Sequence, residues 1–119
     1  MSIVAKVLIA LIAAEHVYIL CLEMFLWTTP RTRRTFGMTE QAARDTKVLA
    51  ANQGLYNGFL AAGLIWSLLA PDPLARQLAL FFAGCVLVAG IYGGLTANRR
   101  ILLVQALPAL VALAAILLT

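Results

Sequence analysis

The sequence predicts an all-α fold, a four-transmembrane-helix bundle with both termini on the outer side, and three observations carry that reading. Hydrophobic residues make up 63% of the chain and charged residues 12%, which leaves too little polar surface to coat a soluble globule of this size. Apolar runs of about 20 residues, the length that crosses a bilayer, recur along the chain with short polar links between them. The basic residues gather in the links after the first and third runs, as a cytoplasmic bias requires. The expected helices cover about residues 3–27, 48–70, 74–97 and 101–118 of a single membrane domain, 1–119, with a basic cytoplasmic loop at 28–47.

The first helix is the most informative. Residues 7–27, VLIALIAAEHVYILCLEMFLW, are long enough to span a membrane, yet they contain Glu15, His16 and Glu23. Glu15 and His16 fall near the middle, where an ionisable side chain is kept only if it faces protein, a partner or water. Glu23 follows His16 by seven residues, close to two helical turns, so the two share a face. Tyr18, three residues after Glu15, neighbours it on the helix surface. Near the cytoplasmic end, Glu23 has a second option, bending outward to headgroup water or Arg34. An opening such as this one can be mistaken for a secretory signal, but the apolar run continues well past the length of a signal core, so a retained helix is expected.

The loop TTPRTRRTFGMTEQAARDTK carries Arg31, Arg33, Arg34, Arg44 and Lys47, with Pro30 and Gly37 as helix breakers. Its basic cluster reads first as a topology signal in contact with lipid headgroups. Thr39 before Glu40 has the form of a helix start, so a short interfacial helix should lead into the second span. That span holds Asn52, Gln53, Tyr56 and Asn57 within six residues, a polar cluster that needs partners. Ala50, Gly54, Gly58 and Ala62 recur at every fourth position and should form a seam against another helix.

Pro71 and Pro73 end this helix, and the short link makes the next one an antiparallel neighbour. The third span is apolar until Gly90, Tyr92, Gly93, Gly94 and Thr96, with Gly90 and Gly94 reading as a packing pair. In the fourth span Gln105 is the polar side chain and Pro108 should kink the helix and free a carbonyl. Cys21 and Cys85 match no metal or redox spacing and read as small buried hydrophobes. A net charge of +4 would suggest nucleic acid for a soluble protein, but here the basic residues lie in the loops, and nucleic-acid binding is excluded.

With EHVYILCLEMFLWTTP, KVLAANQGLYNGFLAAGLIW and IYGG in view, the sequence resembles a family of small four-helix bacterial membrane proteins catalogued as a domain of unknown function. The resemblance covers nearly the whole chain. It implies a four-helix protein of the inner membrane and supplies no activity. Glu15, His16, Tyr18 and Glu23 carry its first motif; Asn52, Gln53, Tyr56, Asn57 and Gly58 carry its second. The chain is also similar, more weakly, to small multidrug-resistance transporters, through an early membrane glutamate matched by Glu15. The strong charge bias and the Asn-Gln-Tyr-Asn cluster depart from those transporters.

Under this orientation the polar side chains lie from the midplane to the cytoplasmic side, a pattern that reads as a polar pocket open to the cytoplasm. Glu15, His16 and Glu23 are its candidate catalytic residues, handling a proton. Tyr18, Asn52, Gln53, Tyr56, Asn57, Tyr92 and Gln105 are its candidate substrate-binding residues, and Glu15, His16, Glu23 and the polar face of the second span should face inward. The ligand expected is a small, largely apolar or amphipathic molecule. Whether the pocket is enzymatic is open. A proton-coupled transporter working as an oligomer and an accessory protein without a site are the alternatives. Membrane lipids are the expected partners, with self-association through Gly54, Gly58, Gly90 and Gly94 as an option. One His without a spaced second His does not make a metal site, and no cofactor is expected.

Overall fold

Residues 3–24 contain neither glycine nor proline, and they form one helix, α1 (Ile3–Met24), started by Ser2, whose Oγ accepts from the Ala5 N–H at 3.1 Å. The computed structural model describes residues 1–119 and contains helices and turns, with no strand. α1 stops three residues before the expected end, in a turn where the N–H groups of Phe25 and Leu26 both bond the Cys21 carbonyl.

The loop after it holds a helix that the breaker reading of Pro30 and Gly37 did not anticipate, α2 (Pro30–Phe36). Both residues sit where they favour a short helix. Thr29 is the N-cap, and its Oγ1 accepts from the Thr32 N–H at 3.4 Å. Pro30 occupies the first turn, where its missing N–H costs nothing. Gly37 closes the helix at φ 66°, with its own N–H on the Arg34 carbonyl and the Met38 N–H on the Arg33 carbonyl at 2.8 Å. That left-handed closure suits glycine because it has no Cβ to clash.

The third helix, α3 (Glu40–Leu69), begins where Thr39 Oγ1 accepts from the Ala42 N–H at 3.1 Å. The short interfacial helix and the second span are therefore one continuous helix. α4 (Leu74–Thr96) follows. Next comes a π-helical turn, Leu102–Ala106, in which the Leu107 N–H reaches the Leu102 carbonyl, and this turn runs into α5 (Leu107–Leu117). Pro108, in the first turn of α5, has no N–H to give, and the widened turn just before it is where the backbone accommodates that loss. Two of these helices, α1 and α4, are long and apolar enough to cross a membrane.

The chain divides into two compact units, one of Met1–Ala14 with Leu60–Thr119 and one of Glu15–Phe59. In the first, a buried cluster takes Ala5, Ile9, Ile12 and Ala13 from α1, Leu64 from α3, Ala79 and Val86 from α4, and Ala109, Ala112 and Ile116 from α5. Five of its ten residues are alanine, which lets the helices lie close. A Cβ on Gly90 would stand 2.7 Å from the Ala106 nitrogen, one on Gly94 would overlap Leu102, and one on Gly63 would overlap the Phe82 ring.

In the second unit α1 and α3 are fitted the same way: a Cβ on Gly54 would lie 2.7 Å from Met24 Cγ and 3.0 Å from Glu23 Cβ, and one on Gly58 would lie 2.7 Å from Leu20. Gly54, Gly58, Gly90 and Gly94 thus each have a neighbour from within the chain where a side chain would otherwise stand. The seam at every fourth residue also breaks down: Ala50 and Gly54 are buried, Gly58 is half-buried and Ala62 is exposed. A step of four overshoots the helical repeat by about 40°, so the contact face moves to Ala61 and Leu64 instead.

Candidate functional site

The candidate residues divide between the two units. Glu15, His16, Tyr18, Glu23, Asn52, Gln53, Tyr56 and Asn57 belong to Glu15–Phe59, whereas Tyr92 and Gln105 belong to the other unit. Within Glu15–Phe59 the structure forms one polar contact between α1 and α3: Asn57 Nδ2 donates to Glu23 Oε1 at 2.5 Å. Glu23 is 8% exposed. It turns inward to Asn57, not outward to Arg34, and the missing side chain of Gly54 lets α3 come close enough for the bond.

His16 is fully buried and Glu15 half-buried. The seven-residue spacing does put His16 and Glu23 on one buried face of α1. Seven residues also separate them by about 10 Å along the axis, too far for a direct proton transfer. Glu15, offset by about 100° from His16, points along a different radius. α1 therefore carries ionisable groups at two depths, and a bound molecule or water would be needed to link them.

The inward polar face expected of the second span is not formed. Asn52, Gln53 and Tyr56 lie on the outside of the protein, and Asn57 is the member of the cluster that turns toward α1. Four residues within six cover more than a full helical turn and cannot share a face. With Gly54 and Asn57 against α1, residues 52 and 56 are directed to the far side. Tyr18 is also exposed, Tyr92 is 71% exposed, and Gln105 is half-buried within the π turn.

One element of the unit escaped sequence reasoning altogether. Trp27 Nε1 donates to Thr46 Oγ1 at 3.0 Å, and the Trp27 ring lies 5.0 Å from that of Phe36. These contacts tie the segment after α1 to both α2 and α3. A tryptophan at a span end followed by a capped helix, TTPRTRRTFG, is the signal that could have found it.

Chemically, the unit offers a carboxyl group and an imidazole inside an apolar helix pair, with an amide as the donor to the carboxyl. Such a set can hold and pass protons or fix one polar end of an otherwise apolar molecule. A protein of Lactococcus lactis subsp. lactis (strain IL1403), described as uncharacterized protein YpaA, is 36% identical over 115 residues, which is 95% of this chain and 96% of that protein. No solved structure matches the chain. The family model described as Protein of unknown function (DUF1304) matches residues 10–117, a span that includes every candidate residue, and the chain belongs to that family.

Proposed function

We propose that this protein crosses the bacterial inner membrane four times, with both termini outside, and that Glu15–Phe59 forms a polar site open to the cytoplasmic side for a small, largely apolar molecule. Glu15, His16 and Glu23 supply its proton-handling groups, and Asn57 supplies the orienting amide. The observation that carries the site is the buried Glu23 carboxyl held by Asn57 at 2.5 Å. A buried polar contact of this kind, in a chain whose outer surface is apolar, is where ligand recognition concentrates.

The membrane reading is supported by the distribution of side chains. Large apolar residues such as Val48, Leu49, Leu69, Phe81, Val88 and Leu118 point outward, while Ala79, Ala83, Ala109 and Ala112 fill the inside. Water would disfavour that arrangement, and acyl chains favour it. α3 is 30 residues long, about 45 Å, so its polar beginning can stand in cytoplasmic headgroups while residues 48–69 cross. Arg31, Arg33, Arg34, Arg44, Lys47, Arg99 and Arg100 then share the cytoplasmic side, opposite Lys6 and Arg76.

Cysteine labelling tests the topology. A membrane-impermeant thiol reagent added outside should modify Asp72→Cys and spare Arg34→Cys, and equal modification of both would defeat the arrangement. A thermal-shift screen of small apolar and amphipathic compounds in detergent tests the site, because a ligand that prefers the folded state raises its melting temperature. The shift should disappear in Glu15→Gln and His16→Gln while both variants remain folded. The close fit of Gly54 against Glu23 favours a second reading, in which Glu23 and Asn57 only clamp α1 to α3. That reading prevails if no compound distinguishes the wild type from these variants.

A further inference from the structure

The basic segment after α1 is more than a charged loop. Thr29 caps α2, Gly37 closes it, the Trp27–Phe36 ring contact lies against it, and the Trp27–Thr46 bond joins the segment to α3. A topology signal needs only charge. Here the charge is mounted on a capped and packed platform.

Its arginines are also unspent. Glu40 pairs with Arg44 one helical turn on, and Asp45 accepts from Gln41 at 2.8 Å. Arg31, Arg33 and Arg34 have no carboxylate partner in the chain. Arg33 Nε is buried with no acceptor, a costly state for a guanidinium that no anion balances. Arg31 and Arg34, three residues apart, fall on one outward side of α2. Beside them, three apolar side chains stand out from the surface, Phe25 at 72%, Leu26 at 43% and Phe36 at 45% exposure.

Arginine is the side chain that matches a phosphate with several donors at once. A free phosphate would use the arginines and have no use for Phe25, Leu26 and Phe36. A phospholipid uses both. We propose that α2 and the turn before it form a binding platform for an anionic phospholipid, with Arg31, Arg33 and Arg34 on the phosphate-bearing headgroup and Phe25, Leu26 and Phe36 against the glycerol and upper acyl region. The inference rests on the membrane reading above, but it concerns a surface apart from Glu23 and Asn57.

Trp27 lies beside this platform and can report on it. The chain has two tryptophans, so a Trp66→Phe background leaves Trp27 as the sole tryptophan, excited selectively beyond the tyrosine band. The full chain, reconstituted in phosphatidylcholine vesicles containing a minor fraction of phosphatidylglycerol, is compared with bromine-labelled acyl chains on one lipid or on the other. Brominated phosphatidylglycerol should quench Trp27 as though enriched at least about fivefold over its bulk fraction, the size expected of even one of the three arginine contacts with an anionic headgroup. Raising the salt should reduce that enrichment.

The double variant Arg31→Gln/Arg34→Gln should lose the preference, whereas Arg99→Gln/Arg100→Gln, which removes the same charge elsewhere, should keep it. Inorganic phosphate at millimolar concentration should not compete. Equal quenching by the two lipids, a preference that survives in Arg31→Gln/Arg34→Gln, or displacement by inorganic phosphate would each overturn the proposal. Quenching by neither lipid would remove the membrane reading with it, so the two failures are distinguishable.

Discussion

The unit made of Met1–Ala14 and Leu60–Thr119 and the unit Glu15–Phe59 use the same packing device for different ends. In both, glycines make room for a close neighbour: Gly63, Gly90 and Gly94 in the first, Gly54 and Gly58 in the second. In the first the approach closes an apolar core of alanine, isoleucine and valine. In the second it brings an amide onto a buried carboxyl. The difference teaches that the same small-residue seam can close an apolar core or bury a polar pair, and that the buried carboxyl lies in the unit where the seam has ionisable neighbours.

The comparison can be broken most forcefully at Gly90. Gly90→Leu forces a side chain against the Ala106 backbone, and overpacking of that kind should cost about 3 kcal/mol or more, read as a fall in the unfolding midpoint in detergent. A wild-type midpoint would mean that the seam is not close-packed. Asn57→Ala is next. Deleting the donor to a buried carboxyl should cost about 1–3 kcal/mol, and a double-mutant cycle with Glu23→Ala should return a coupling of about 0.5–3 kcal/mol. Additive single effects would show that the two residues do not act together.

Trp27→Phe keeps an aromatic ring near Phe36 and removes only the indole donor to Thr46, so a loss of about 1 kcal/mol is expected in the same assay. The smallest effect should come from Gly84, where an added Cβ would meet nothing within 4 Å. Gly84→Ala should be neutral or stabilising by up to about 1 kcal/mol, through helix propensity alone. A marked destabilisation there would reveal a contact that this chain by itself does not provide.

The sequence makes the helical class legible because apolar runs of bilayer length leave few alternatives, and it makes Glu23 and His16 legible because their spacing is a whole number of turns. Asn57 was visible only as one of four polar residues. Which of the four turns inward depends on where α1 meets α3, and Gly54 decides that. Ala62 misled because a step of four drifts off the face over three steps. The π turn has a local sign in Pro108, but its position also needs Gly90 and Gly94, which come from α4. α2 was legible in principle: Thr29, Pro30 and Gly37 each have a preferred place in a short helix, and reading Pro30 and Gly37 only as breakers hid it.

The central claim, that Glu15–Phe59 holds a water-reachable polar site while the other unit is sealed apolar packing, is tested most directly by thiol accessibility. In a Cys21→Ala/Cys85→Ala background, Asn57→Cys and Val86→Cys, the latter in the buried apolar cluster, are each exposed, in inverted membrane vesicles, to a membrane-impermeant maleimide, which reacts only with a thiol that water can reach. Modification is expected at position 57 from the cytoplasmic side and none at position 86. Protection of position 57, or equal modification at both positions, would contradict the claim.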